Sequence, residues 1–578
     1  MKKLLCMLLT VLMVIPSVAC FGTVEEELDS TKTHIFVKVF NGGMGTEWME
    51  DLKNQFNSVN DKYDIVARYE KQTSADILAE IERGKPSGDI YLSTSLDFQS
   101  GIYMNYFEDL SDILNVKPDG ESGRTVKQKI RDYDEWKMMA SKYGQGLYIL
   151  PHTDAILGMV FDYKLFVENE WLTYADEDDI AALTAQGITF TQRSGKLLFE
   201  SATGKVNYAQ GDIILKPGKD GKYGTYDDGQ PKTVAEFDNM IREITQGNKK
   251  AKSFVYSGMY DTYLNEIVVS AMAQYMGIDL YKSYYYYDSK GAAMPMHDGS
   301  SAVINLDNGY KVFNCEGLYQ GLSFATKYFN DRSNVYKKSF STTSYSHTDA
   351  QDSFLLGYKN EQGFPAMLCD GTWWENEAKP EFESIVKEGN ADRGYGKREY
   401  RYMLIPEISG QALPVDQTVF NSSEIGGLVV VKQEDSEKLA KIKEFIALTL
   451  KDENLAKFTE LTGTMKNYDY SLTSEQLNNM TPFARNCYEM YKDTEHITIT
   501  KSKVYKYSDP CIFTAEMTPN YVPLLSGATY TMYAVRYFRD GDTNIPVDNV
   551  FGTDNIGYSS AKWNEFLSKA RAQGFFAN

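Results

Sequence analysis

"IFVKVFNGGMGTEWMEDLKNQFNSV" (residues 35–59) decides the fold. A run of β-branched and aromatic residues, 35–40, ends in a glycine loop. After it Trp48, Leu52, Phe56 and Val59 recur at helical spacing, with Thr46 placed to cap the helix. "YDIVARYE" (63–70) predicts a second strand, and "SADILAEIERG" (74–84) a second helix opened near Ser74 and closed at Gly84. "DIYLS" (89–93) predicts a third strand. Strand, helix, strand, helix, strand with short links implies a parallel sheet covered on both faces. Ligands of such sheets bind beyond the carboxyl ends of the strands. The rim candidates are therefore Asn41 and Gly42 in the first loop, and Ser93, Thr94 and Asp97 in the third.

A second α/β signal starts at "GLYILPHTDAILGMVFDYKLF" (146–166), where strand-like runs flank Pro151 and "MVFDYKLF" opens a new segment. "GGLVVV" (426–431) predicts a late strand. It is followed by a helix with Leu439, Ile442, Phe445, Ile446 and Leu450 on one face, and by a shorter helix closed at Gly463. The chain thus crosses between two lobes more than once, and its 578 residues call for more than one core.

Composition narrows the function. The formal net charge is −20, which repels nucleic-acid phosphates and anionic lipid headgroups. Hydrophobic residues at 42% and charged residues at 24% describe a globular chain. Lys2 and Lys3, an apolar run from Leu4 to Ile15 and "PSVAC" describe an export signal over 1–19, too short to span a bilayer. Its removal takes two lysines and no acid and leaves −22. Cys20 follows Ser17, Val18 and Ala19 and resembles a bacterial lipobox, which implies acylation of Cys20. Ser17 stands where the usual Leu would be, so cleavage without a lipid stays open. The four cysteines left after Cys6 and Cys20 form no disulfide framework, and there is no CxxC or HExxH pattern.

The order of elements resembles the extracellular solute-binding proteins of ABC importers, in the maltodextrin-binding-protein branch. The segments that carry the resemblance are the lipobox, "DIYLSTS", "GLYILPHTDAILGMVFDYKLF", "GQPKTVAEFDNMIREI", "FPAMLCDGTWWENE", "YRYMLIPEISG", "GGLVVVKQEDSEKLAKIKEFIALTL" and "LTGTMKN". The resemblance implies an α/β, two-lobed periplasmic-binding-protein-like fold of type II, with two parallel-rich sheets around a hinge. One lobe is expected over 34–157 plus about 400–455. The other is expected over 158–399 plus about 456–578, and 20–33 is expected to be a lipid-anchored linker. It also implies a monomer on the outer face of the cell membrane, holding a carbohydrate in the interlobe cleft for a membrane permease. No cofactor is implied. Two departures stand out: extra sequence around 167–230 and beyond 470, and no proline in "LTGTMKN".

In that family the segment matching "AMLCDGTWW" turns from strand to helix, and a Trp there stacks on a sugar ring. Adjacent side chains diverge, so one of Trp373 and Trp374 is expected on ligand and the other in the core. The residues leave open which, with Trp374 marginally preferred; Asp370 could accept a sugar hydroxyl. Thr153 and Asp154 match the family's sugar-contacting turn. Ser257, Tyr260 and Asp261 follow a strand at the cleft, and Asn421 and Ser422 lie at a crossover. "PGKDGKYGTYDDGQP" (217–231) offers Asp220, Asp227 and Asp228 as oxygen ligands for a structural Ca²⁺, against a metal-free turn. Two other functions stay open: a glycan-active enzyme using Glu375 and Glu377, whose i,i+2 spacing makes the carboxyls diverge on a helix, and a peptide or polyamine binder.

Overall fold

The computed structural model describes residues 28–572 apart from 95, 143, 248–250, 261, 358–362, 415, 498–522, 525–531, 534–546, 550 and 553–558. The export signal, Cys20, most of the linker and Asp261 lie outside the described residues.

The opening stretch forms β1 (Thr33–Val39) and α1 (Glu47–Asn57), followed by β2 (Tyr63–Tyr69), α2 (Ser74–Glu82) and β3 (Ile90–Ser93). Strand β1 lies between β2 and β3, parallel to both. Trp48, Leu52 and Phe56 are buried, whereas Val59 lies past the helix end and is exposed. Thr46 occupies the N-cap of α1 without a side-chain cap bond, and the capping box of α2 belongs to Thr73 and Asp76, one residue before Ser74.

The segment around Pro151 is one strand, β4 (Leu150–Asp162), every residue of it buried. Proline is accommodated as its second residue, opposite Gly427 and beside a register irregularity in the pairing with β12. At roughly 3.3 Å per residue its 13 residues reach about 40 Å, enough to serve two lobes. The insertion after it carries the hairpin β5 (Ile188–Arg193) and β6 (Lys196–Ala202), with a small core around Leu183, Phe199 and Tyr208. Next come α3 (Val234–Gln246), β7 (Lys252–Val255), α4 (Thr262–Met276), the short hairpin β8 (Ala293–Pro295) and β9 (Ser301–Val303), and α5 (Glu316–Phe329). They are followed by α6 (His347–Leu355), β10 (Pro365–Gly371), α7 (Trp374–Glu377), α8 (Lys379–Lys387) and β11 (Tyr400–Met403). The chain returns through β12 (Val419–Val430), α9 (Ser436–Thr449) and α10 (Asp452–Thr462). It goes on to α11 (Ser474–Asn479), α12 (Pro482–Asp493) and β13 (Glu495–Ile497).

The strand order is β2-β1-β3-β12-β4-β10-β7, with β11 on β4 and β13 on β12. The two sheets are therefore continuous through β4 and β12, which run antiparallel. The first part of β4 pairs with β12; the second part, from Leu157, pairs with β10 and β11. One core gathers Ile35 to Leu150 with Leu428 to Tyr470. The other lobe is built around β10, α4 and α5, with a second cluster around Trp374, Tyr402 and Phe483. The transfer points differ from those expected at about 400 and 455. Tyr400–Met403 pairs with β4 in the second lobe, and α10 packs on α1 in the first, Phe458 meeting Trp48 edge-on at 5.0 Å.

The hinge is polar and buried. Asp154 donates its backbone N–H to Met465 O and accepts on Oδ2 from Arg131, at 3.2 Å, and from the Tyr491 hydroxyl. Close by, Lys466 is buried against the rings of Phe458, at 4.1 Å, and Trp48, at 5.4 Å, with its Nζ 3.0 Å from His152 Nδ1. Burial alone pushes this amine down to about 7. The unfolded amine keeps its ordinary value near 10.5, so between about 7 and 10.5 the unfolded chain binds the extra proton and stability rises with pH. Lys466→Met should raise the melting temperature at pH 7 and flatten its rise from pH 7 to 10; calorimetry across that range measures both.

Candidate functional site

The loop after β1 and the turn after β10 face each other across the two lobes. Asn41 Oδ1 accepts from Gly45 N–H at 3.0 Å and folds the first loop tightly. Gly43 sits at φ +81°, and a Cβ there would lie 2.8 Å from Glu377 Cβ and 3.3 Å from Trp373 Cδ1. Only glycine meets both demands, the left-handed backbone and the close approach. Gly42 packs by Phe40 and Thr94. Ser93 is buried beneath this rim, and Asp97 is exposed on it. Gly426 allows β12 to press on the hinge, for a Cβ there would meet Thr153 Oγ1 at 2.2 Å and Ser93 O at 2.5 Å.

Strand β10 ends at Gly371, and its continuation separates the tryptophan pair. Trp374 is fully buried, with Tyr400 at 5.0 Å, Phe483 at 5.6 Å and Phe354 at 5.8 Å, all edge-on. Trp373 folds back over Gly371 and turns an edge to Gly43. Both indoles are buried, in different core clusters: Trp374 is fully enclosed, whereas Trp373, 6% exposed, is the one that reaches the interlobe contact.

Around that contact lies a chain of polar side chains. Gln351 on α6 donates to Asp370 Oδ2 and to Glu377 Oε2, each at 2.9 Å. His347 Nε2 lies 3.2 Å from Glu377 Oε1. The His347 ring is near-parallel to Tyr263 at 6.2 Å and tilted to Tyr260 at 5.6 Å. Burial first, then the charge of Glu377, pushes the Asp370 carboxyl up to about 8, so at neutral pH it is mostly protonated. Burial also pulls Glu377 upward, but the His347 hydrogen bond and charge outweigh it and hold this carboxyl below its ordinary value. His347 is correspondingly raised, chiefly by its bond to Glu377. Lys71, from the first lobe, contributes to the field at both residues.

The other sequence candidates divide. Asp154 belongs to the buried hinge network, and Thr153 is buried there with no partner for Oγ1. Ser257 closes a turn, accepting from Met259 N and Tyr260 N and donating to Tyr345 O, so it does not project from the rim. Tyr260 is exposed, beside His347. Asn421 and Ser422 are strand residues of β12, opposite Ile497 and Ile156 respectively. Asp220, Asp227 and Asp228 are neighbours in one loop, held by local bonds: Asp220 N–H to Asp227, and Gly224 N–H and the Tyr208 hydroxyl to Asp228. Burial pushes Asp228 up to about 7. Among the described residues no group of three or more His, Cys, Asp or Glu side chains could hold a metal ion. His347 and Gln351 were not singled out, because a lone His and Gln in a polar helix carry no local pattern. Glu377 was considered only as half of a catalytic pair.

No protein-family model and no curated protein matches the sequence. Solved structures do match. A structure titled as the solute-binding protein RafE in complex with raffinose superposes with a TM-score of 0.50 at 13% identity, covering 93% of this chain and 100% of that one. The apo-form of RafE from Streptococcus pneumoniae matches at 0.49 and 13%, covering 94% and 100%. A chitin oligosaccharide binding protein matches at 0.49 and 13%, covering 83% and 91%.

Trp374→Ala should cost about 3–5 kcal/mol in denaturant unfolding, as for other fully buried tryptophans. Gly43→Val should lower the unfolding midpoint, because a β-branched residue is strained at that left-handed backbone, and should wedge the rims apart, read as a larger radius of gyration in small-angle scattering. The strand order and the superposition give this chain the mixed α/β, two-lobed fold of a solute-binding protein.

Proposed function

We propose that this chain is an extracytoplasmic solute-binding protein that captures a carbohydrate between its lobes and hands it unaltered to an ABC permease. The observation that carries the reading is the meeting of Gly43 with Trp373 and Glu377 at the carboxyl ends of β1 and β10. Parting of the lobes there would uncover an indole, the rings of Tyr260 and Tyr263, and carboxylate, amide and imidazole groups. An apolar sugar face and its ring of hydroxyls need that combination. The fold shared with the raffinose-bound protein supports the same reading. Export by the 1–19 signal and acylation of Cys20 would hold the protein at the outer face of the membrane. Among the described residues no helix is long and apolar enough to cross one. The reading takes the protein as a monomer that needs no cofactor.

A glycan-active enzyme is the weaker reading. Glu375 bonds Thr481 while Glu377 bonds His347 and Gln351, so the two carboxyls serve opposite faces of α7 and do not flank one bond.

Thermal shift against raffinose and a panel of mono- and oligosaccharides tests the proposal. One glycan should raise the melting temperature and be recovered intact after hours. Trp373→Ala should abolish that shift, from an unprotected melt lowered by the loss of a buried indole. No response to any sugar, or undiminished response in Trp373→Ala, removes the reading.

A further inference from the structure

Helix α7 has a second polar face that the interlobe contact does not use. Residues two apart on a helix diverge by about 200°, so Glu375 points away from Gly43 and Glu377. It lines a cavity of about 170 Å³ between the two lobes. The first lobe contributes Glu47 at the start of α1 and Glu460 near the end of α10. The second contributes Glu375, Lys379 and Tyr395, and the C-terminal helices contribute Thr481.

Glu375 is 3% exposed. Its Oε2 accepts from Thr481 Oγ1 at 2.5 Å, and its Oε1 has no partner. A buried carboxylate oxygen without a donor is costly, and such groups are normally satisfied by protein, water or ligand. Burial pushes this carboxyl up to about 7, against the hydrogen bonds of Thr481 and the Gly396 N–H and the charge of Lys379, which pull it down. The nearest cation does not complete it, for Lys379 Nζ stands 4.8 Å over the Tyr395 ring. Glu460 is already engaged by Asn479, at 2.9 Å, and Lys457, at 3.2 Å. Glu47 is exposed at the rim with its charge toward the opening.

Ligand chemistry follows from these groups. An anion would add charge beside a buried carboxyl and two further carboxylates. A neutral polyol could donate to Oε1 but would leave the acidic lining uncompensated. A small ammonium does both, donating to Oε1 and neutralising the lining, while its methylenes lie against Tyr395 and Phe483.

We propose that the crevice between α1, α10 and α7 binds a small organic amine as its ammonium ion, with Glu375 as the anchoring carboxylate. Because the lining comes from both lobes, the amine would hold them together from the side opposite Trp373. Asn376 already bridges there, donating to Leu461 O at 3.2 Å and Thr462 O at 3.4 Å. The site is independent of the carbohydrate reading.

Isothermal titration of the full chain with 1,4-diaminobutane, and with 1,4-butanediol as the uncharged probe, tests it. Saturable binding of the diamine and none of the diol is expected. Glu375→Gln should weaken binding at least tenfold, and the rim variant Glu47→Gln should weaken it several-fold without touching the core. Trp373→Ala should leave it unchanged. Absence of saturable diamine binding, equal binding of the diol, or full affinity in both glutamine variants overturns the proposal.

Discussion

The antiparallel pairing of β4 with β12 is the constraint from which the rest of the molecule follows. Each strand is shared: β4 leaves β12 at Ile156 and goes on to β10 and β11, while β12 continues from β4 to β3. Backbone hydrogen bonds inside a buried sheet cannot be surrendered without a large desolvation cost. The lobes therefore stay tied at this seam, and relative movement is confined to twisting of two strands. Asp154 lies on that seam, held by Arg131 from one side and by Tyr491 from the C-terminal helix α12. Helix α12, beyond residue 470, thus takes part in the hinge through Tyr491.

Elements with strong periodicity were legible. The β1-α1-β2-α2-β3 unit and the α9–α10 pair lie within a residue or two of where hydrophobic spacing puts them, because each buries a single face against its own sheet. Continuity was less legible. Pro151 reads as a break, yet the strand runs through it, since a register irregularity in the pairing with β12 accommodates the proline. The lobe boundaries near 400 and 455 were misplaced for a similar reason. Whether Tyr400–Met403 or α10 belongs to one core or the other is decided by long-range pairing, which local pattern does not contain.

The site was legible in kind and only partly in detail. Adjacent tryptophans must diverge, and they do, into different core clusters; which one is fully enclosed depends on Tyr400, Phe483 and Phe354 arriving from distant sequence. Gly43 belonged to a loop that was singled out. Its particular role appears only when Glu377, more than 300 residues away, is set against it. Asp370 was expected to accept a hydroxyl bond, whereas burial beside Glu377 makes it mostly a neutral acid at pH 7. In the Asp220–Asp228 loop, Tyr208 and Gly224 bond Asp228 and the Asp220 N–H bonds Asp227, while Asp220 Oδ2 is buried without a partner.

The insertion of β12 between β3 and β4 has a consequence for the order in which the chain can acquire structure. The first 150 residues hold most of one core, yet their sheet lacks its middle strand until Gly427–Val430 is delivered. Closing so distant a pair taxes the search for the native state, and folding slows as contacts become more remote in sequence. The nascent amino-terminal half therefore has no finished resting place of its own, and remains an open thread until most of its successor has been made.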